Sequence, residues 1–273
     1  MVTQEQRRRQ LAREKFLRQQ QRRTAARRKT NMRNSVIASV LGVVVVGSVV
    51  SYATGVFKGD DKKANAGAEV TPSASATSAA PDPCKKPAEG AVKSLSWKKE
   101  PAVTIDKSAD YTMKMATTCG DIDIALKTAA APHTVNSFSF LAGKGFFDHT
   151  KCHRLTTNGI YVLQCGDPQG TGSGGPGYTI PDENLKDKTL KGGVYPAGTI
   201  AMANTGTAHT GGSQFFLVYQ DSQLPASYTP FGTISKSGLT VLKKIAAAGE
   251  STGQGDGAPN ATVVINKMTV TKS

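Results

Sequence analysis

Residues 111–126 read YTMKMATTCGDIDIAL and contain two stretches in which apolar and polar side chains alternate. The apolar members are Tyr111, Met113 and Met115, followed by Ile122, Ile124 and Leu126. A period of two residues is typical of a β-strand with one buried face. Cys119-Gly120-Asp121 has the composition of a turn. The stretch therefore predicts a hairpin with strands over 111–118 and 121–127.

The rest of the C-terminal part repeats this pattern. Further short strands are predicted over 152–156, 160–165, 199–203, 214–219, 230–234 and 262–270. A helix is predicted to begin at Pro132, where the missing N–H costs nothing, and to end near Gly143. A second helix is predicted over 238–248. Eight short strands and two helices predict a mainly β fold, a closed eight-stranded antiparallel β-barrel capped by two α-helices, over residues 101–273.

The net charge of +14 is concentrated at the N-terminus. Residues 1–33 contain twelve Lys or Arg against two Glu, a net of +10, which leaves +4 for the other 240 residues. This segment has no apolar face at helical spacing, and its single aromatic residue, Phe16, does not indicate nucleic-acid binding. We interpret it as a basic cytoplasmic tail beside anionic lipid headgroups, and expect no specific nucleic-acid partner.

An uncharged segment follows the tail. Val36–Phe57 has 22 residues without a charge, long enough to cross about 30 Å of hydrocarbon as a helix. The positive charge before it predicts that the N-terminus stays in the cytoplasm and the C-terminal part is exported. We therefore predict a single transmembrane helix over 34–57, in a cell-membrane protein with its folded domain outside the cytoplasm. A cleaved signal peptide, with Ser51-Tyr52-Ala53 as its cleavage site, and a buried core helix are the alternatives.

Residues 58–100 are predicted to be a flexible linker and a transition to the folded domain. Residues 59–83 consist mainly of Ala, Ser, Thr, Gly and Pro and contain almost no large apolar side chain. Such a segment cannot bury enough surface to offset its ordering entropy.

Three motifs in the domain are weak signals. Gly172–Gly177 fits G-x-G-x-x-G, but Pro176 and Tyr178 oppose the helix start that a dinucleotide site needs. Ser213 lacks the sequence context of a nucleophile elbow. His149, Cys152 and His153 have no fourth zinc ligand at a matching spacing. Composition and periodicity alone thus indicate an exported β-barrel binding module.

The order of the motifs resembles the cyclophilin-type peptidyl-prolyl isomerases. The matching segments are CGDIDIAL (119–126), CHRLTTNGIYVLQCGDPQGTGSGGPGY (152–178), PDEN (181–184), GTIAMANTGTAHTGGSQFF (198–216) and LPASYTPFG (224–232). They occur in family order over about 160 residues. The resemblance implies an eight-stranded barrel with a helix at each end.

The resemblance also assigns roles to single residues. It implies that the catalytic residues are Arg154, which is the catalytic arginine, together with Gln164 and Phe216. The substrate-binding positions it implies are His153, Tyr161, Val162, Ala203, Asn204, Gln214, Leu224 and Tyr228.

The chemistry of such a site needs only non-covalent contacts. An X–Pro bond crosses a barrier of about 20 kcal/mol because twisting breaks amide resonance. The twisted prolyl nitrogen gains a lone pair, to which a permanently charged guanidinium can donate. Because no nucleophile, metal or redox cofactor is required, we expect no cofactor.

All four cysteines follow the apolar segment, which fits two disulfides in an oxidising compartment. Cys152 and Cys165 flank a predicted hairpin and could pair, which would leave Cys84 for Cys119. Free buried thiols are the alternative.

The leading hypothesis is a monomeric, membrane-anchored isomerase that acts on proline-containing segments of exported proteins. One alternative is a proline-binding module or chaperone with little turnover. Another is a cytoplasmic protein that binds nucleic acid through its basic tail.

Overall fold

The computed structural model describes residues 81–273, which belong to one compact unit of the chain. The predicted tail (1–33), the transmembrane helix (34–57) and most of the linker lie outside the described residues. Within 81–273, no helix combines the length and apolar character needed to cross a bilayer.

The domain consists of twelve strands and two α-helices. The strands are β1 (Tyr111–Thr117), β2 (Gly120–Leu126), β3 (Thr150–Lys151), β4 (Arg154–Thr156), β5 (Val162–Cys165), β6 (Val194–Tyr195), β7 (Thr199–Met202), β8 (Phe215–Val218), β9 (Ser222–Gln223), β10 (Pro230–Ile234), β11 (Asp256–Gly257) and β12 (Val264–Lys272). The helices are α1 (Pro132–Gly143) and α2 (Lys236–Ala247). All eight predicted strands and both helices are thus present, and α2 begins earlier than predicted because the Ser235 side chain caps it by accepting from Gly238 N.

Ten strands form one antiparallel sheet in the order β11-β4-β5-β8-β7-β10-β2-β1-β12-β3. The eight predicted strands are its contiguous middle part, from β4 to β12. The prediction of a closed eight-stranded barrel is wrong in its closure. Closure would require β4 to pair with β12, but the outer edge of β4 pairs with β11 and that of β12 with β3.

The main core lies between the sheet and the helices. α1 packs on β12 and α2 packs on β2. The Phe138 ring of α1 contacts the rings of Phe147, Phe215 and Phe231, with centroids 4.7 to 5.5 Å apart. This aromatic cluster fixes one face of β8 and β10, so that the other face can carry a different set of side chains.

The segment before β1 packs on the domain. Cys84 is bonded to Cys119 in the turn between β1 and β2. Trp97 N donates to Pro176 O over 2.8 Å, and the Trp97 ring lies edge-on to Phe140 at 5.0 Å. Residues 84–100 therefore make defined contacts with the domain.

Candidate active site

A row of residues across four strands defines the candidate site. Arg154 of β4 is paired with Gln164 of β5, which is paired with Phe216 of β8, which is paired with Ala201 of β7. Directly paired residues of antiparallel strands project from the same face of a sheet. The register therefore places the cation, the amide and the aromatic ring on one face.

Three side chains are joined in a hydrogen-bonded chain along this row. Arg154 Nη1 donates to Gln164 Oε1 over 3.2 Å, and Gln164 Nε2 donates to Gln214 Oε1 over 2.9 Å. Gln214 Nε2 in turn donates to Gly174 O over 2.9 Å. The chain orients both amides and presents an acceptor to the guanidinium.

An apolar cluster lies beside this polar chain. Its buried members are Val162, Tyr195, Ala201, Phe216 and Val218, and the half-buried members that pack on it include Ala203, Leu224 and Tyr228. The Phe216 and Tyr228 rings meet edge to face at 5.3 Å. The predicted residues Val162, Phe216, Ala203, Leu224 and Tyr228 are thus brought together into one apolar surface.

A cavity of about 1030 Å³ is lined in part by the two glutamines. Gln164, Gln214, Ala203 and Asn204 line it. Asn204 Nδ2 donates to Ser227 O over 2.8 Å, which holds this side chain against the loop after β9. The predicted substrate-binding residues therefore border two adjoining features, the apolar cluster and this cavity.

The side chains of two other predicted site residues, Tyr161 and His153, form no hydrogen bond with the row among the described residues. Tyr161 packs against the main core and meets Tyr219 at 5.9 Å, where both line a second cavity of about 600 Å³. Both ring nitrogens of His153 are buried and have no hydrogen-bond partner among residues 81–273. Burial lowers the pKa of His153, and the Arg154 charge acts in the same direction against the opposing effect of Asp167. The contacts of Tyr161 do not place it in the predicted apolar pocket.

Asp256 is a site residue that the sequence did not reveal. Its carboxylate accepts from Arg154 Nε and Nη2, each over 2.7 Å. This hydrogen-bonded pair raises the pKa of Arg154 against the opposing effect of burial, so the guanidinium is charged at any physiological pH. The two residues are 102 positions apart, and a lone Asp in the loop STGQGDG carries no signal.

Both predicted disulfide pairings are present. Cys152 is bonded to Cys165 and Cys84 to Cys119, and none of the described cysteines is free. The Cys152–Cys165 bridge joins the segment just before β4, which carries Arg154, to the end of β5, which carries Gln164.

The family model for cyclophilin type peptidyl-prolyl cis-trans isomerases matches residues 112–270, more than half of the chain. A probable peptidyl-prolyl cis-trans isomerase B of Mycobacterium leprae is 51% identical over 168 residues, covering 59% of this chain and 57% of that protein. The corresponding Mycobacterium tuberculosis protein is 49% identical, with 59% and 54% coverage. Peptidyl-prolyl cis-trans isomerase B of Bacillus subtilis is 41% identical over 125 residues, covering 45% of this chain and 82% of that protein.

The chain spans a little over half the length of the two mycobacterial relatives. The matched residues contain every strand of the ten-stranded sheet and both helices, apart from the outermost residues of β1 and β12. The chain belongs to the cyclophilin-type peptidyl-prolyl cis-trans isomerase family.

Proposed function

We propose that this chain catalyses cis–trans isomerisation of X–Pro bonds in exported proteins. The observation that carries the proposal is the register across β4, β5 and β8, which sets the Arg154 guanidinium on the same face as buried Phe216. Family membership supports the reaction class. The apolar surface suits the proline ring, and the fixed cation beside it suits the imide bond while that bond is twisted.

The geometry suggests how the barrier is lowered. The apolar cluster around Phe216 and Val162 holds the proline ring, while the carbonyl before it rotates. Arg154 offers five N–H groups, of which two contact Asp256 and one contacts Gln164. The remaining N–H groups can donate to the prolyl nitrogen as it becomes pyramidal. This contact is strongest in the twisted state, so it stabilises the transition state more than either ground state.

We also propose that the domain is exported and held at the cell membrane by residues 34–57, with the N-terminus in the cytoplasm. The support is the +10 tail before an uncharged run of 22 residues. Two disulfides in the domain fit an oxidising compartment on the far side. The clients would then be proline-containing segments of proteins that fold after export.

The test is the isomerisation rate of a proline peptide with the purified full-length chain and its Arg154→Ala and Arg154→Lys variants. Removing one preorganised donor from a catalytic site costs about 100-fold or more, and we expect that loss in kcat/KM for Arg154→Ala. Arg154→Lys should also be impaired, because an ammonium cannot bond to Asp256 in a bidentate manner and to Gln164 at the same time.

The matched control is Lys114→Ala, which removes a cation from the surface pair with Asp121 and should leave the rate unchanged. A wild-type chain that binds the peptide but does not accelerate its isomerisation would favour the alternative, a proline-binding module or chaperone. An Arg154→Ala variant with the wild-type rate would contradict the proposed role of Arg154.

A further inference from the structure

Asp256 contacts Arg154 at two points, and this contact restricts the rotation of the guanidinium plane. The carboxylate takes the edge formed by Nε and Nη2, with both donor–acceptor distances at 2.7 Å. Gln164 takes a third N–H, on Nη1, at 3.2 Å. Two-point contacts of this kind restrict rotation as well as adding attraction.

The backbone around Asp256 is itself held by several bonds. Asp256 and Gly257 form β11, which pairs with Thr156 and Leu155 of β4, the strand that begins with Arg154. The Glu250 carboxylate organises the preceding loop by accepting from Thr252 N over 2.6 Å and Gly255 N over 2.8 Å. The position of Asp256 is therefore set by the strand pairing of its own backbone.

Gly255 shows why this loop reaches the end of β4. Its φ is +91°, in the region that favours glycine, and a Cβ there would lie 2.4 Å from Asn158 Cβ. Gly255 O also accepts from Thr157 N over 2.9 Å. The close approach that only glycine permits brings the following residue, Asp256, within reach of the guanidinium.

Two opposite effects on catalysis follow from the pair. A carboxylate against the guanidinium partly neutralises the charge offered to the substrate. The same contact holds the plane and leaves one N–H on each of Nη1 and Nη2 without a contact to Asp256 or Gln164. The lone pair of the prolyl nitrogen exists only in the twisted imide. Donation from Arg154 to that lone pair depends more on the direction of the N–H group than on the long-range charge, because hydrogen bonds weaken steeply with misalignment.

We propose that Asp256 is a positioning residue for Arg154. By binding one edge of the guanidinium, Asp256 determines which edge faces the X–Pro imide. The proposal rests on the isomerase function proposed above. It assigns to Asp256 an effect on turnover that acts through Arg154 alone.

The experiment compares full-length wild type, Asp256→Ala, Asp256→Asn, Arg154→Ala and the Arg154→Ala/Asp256→Ala double variant in the proline-peptide assay. A small displacement of a reacting group costs up to about 100-fold in rate, and we expect kcat/KM of Asp256→Ala to fall about tenfold or more, in kcat rather than KM. Asp256→Asn, which keeps one acceptor oxygen, should lie between Asp256→Ala and wild type. In the Arg154→Ala background, Asp256→Ala should change the rate less than about twofold, since a residue that acts only through Arg154 has nothing left to position.

Two further readouts separate positioning from a structural role. The Arg154 Nε–H signal in a ¹⁵N NMR spectrum should be sharp in wild type and broadened or shifted in Asp256→Ala. The thermal unfolding midpoint should hardly change, because the side chain of Asp256 is 55% exposed and exposed ion pairs contribute little to stability. Asp106→Ala is the matched control, since it breaks a comparable exposed pair with Lys272 and should leave both turnover and the Arg154 signal unchanged.

A wild-type rate in Asp256→Ala would overturn the proposal, and so would a faster one, which would mean that the carboxylate restrains the cation. An equal loss in the Arg154→Ala background would also overturn it, because the effect would then be structural. If the proposed isomerase function itself is wrong, the result differs from these two outcomes. Wild type would then give the uncatalysed rate, while its Arg154 NMR signal stayed sharp.

Discussion

The Cys152–Cys165 bridge should contribute a large part of the stability of the site. It joins the segment just before β4 to the last residue of β5, and these two strands are paired at only two positions, Arg154 with Gln164 and Leu155 with Leu163. The two cysteines are 13 residues apart in sequence, and a crosslink closing a loop of that size is worth about 3 kcal/mol at 25 °C through the entropy of the unfolded chain. For a domain of this size, such a loss lowers the melting temperature by roughly 6–12 °C.

The perturbation is the double replacement Cys152→Ala/Cys165→Ala, which avoids a buried free thiol. Urea unfolding of wild type and variant under non-reducing conditions gives the difference in unfolding free energy. Wild type treated with a thiol reductant should melt below the variant, because reduction opens the Cys84–Cys119 bridge as well. At low temperature, where the variant is still folded, its isomerisation rate should stay close to wild type, because the pairing of β5 with β8 still fixes the position of Gln164.

The comparison variant is Cys84→Ala/Cys119→Ala, which removes a bridge of the same kind between the N-terminal segment and the turn after β1. It should leave the low-temperature rate unchanged and destabilise the domain independently. If removal of the Cys152–Cys165 bridge changes the unfolding free energy by less than about 1 kcal/mol, the loop-closure argument does not apply to this domain.

Two further predictions concern pH and location. Because burial lowers the pKa of His153, the unfolded chain takes up a proton at this position below about pH 6.5 while the folded chain resists it. The unfolding free energy should therefore fall between pH 7 and pH 5, and it should fall less in His153→Asn, as measured by urea unfolding at both pH values. The proposed anchor predicts that the full-length chain pellets with membranes and resists extraction by high salt, whereas recovery in the soluble fraction would contradict the anchor.

The sequence predicted most of the sheet because the main strands show either alternation, as in β1 and β2, or a short apolar run, as in β7 and β8. The eight strands and both helices were found from periodicity, and their residues occupy the middle of the observed sheet. The four missed strands, β3, β6, β9 and β11, have two residues each, too few to display any period. Two of them, β11 and β3, pair with the outer edges of β4 and β12. Because the sequence pattern does not reveal these two strands, it could not show that the predicted eight-stranded barrel does not close.

Alternation also explains which site residues came together. Val162 and Gln164 are two positions apart in β5, so they share a face, and Gln164 is paired with Phe216 of β8. Tyr161 and Val162 are neighbours within the predicted strand 160–165, although β5 itself begins at Val162, and neighbours on a strand point in opposite directions. The observed contacts of Tyr161 with the main core follow from this rule, which was available from the sequence and would have argued against its place in the apolar pocket.

Asp256 shows what a linear pattern cannot supply. It lies in a loop without periodicity, and its partner Arg154 is 102 positions away. The contact depends on the conformation of Gly255 and on the Glu250 hydrogen bonds, which together place a two-residue strand beside β4. Val162 and Phe216 of the proposed pocket lie on four-residue strands in the middle of the sheet, whereas Asp256, the proposed positioning residue for Arg154, lies on a two-residue edge strand. Substitutions in the loop 250–257 could therefore change turnover while the pocket residues stay the same.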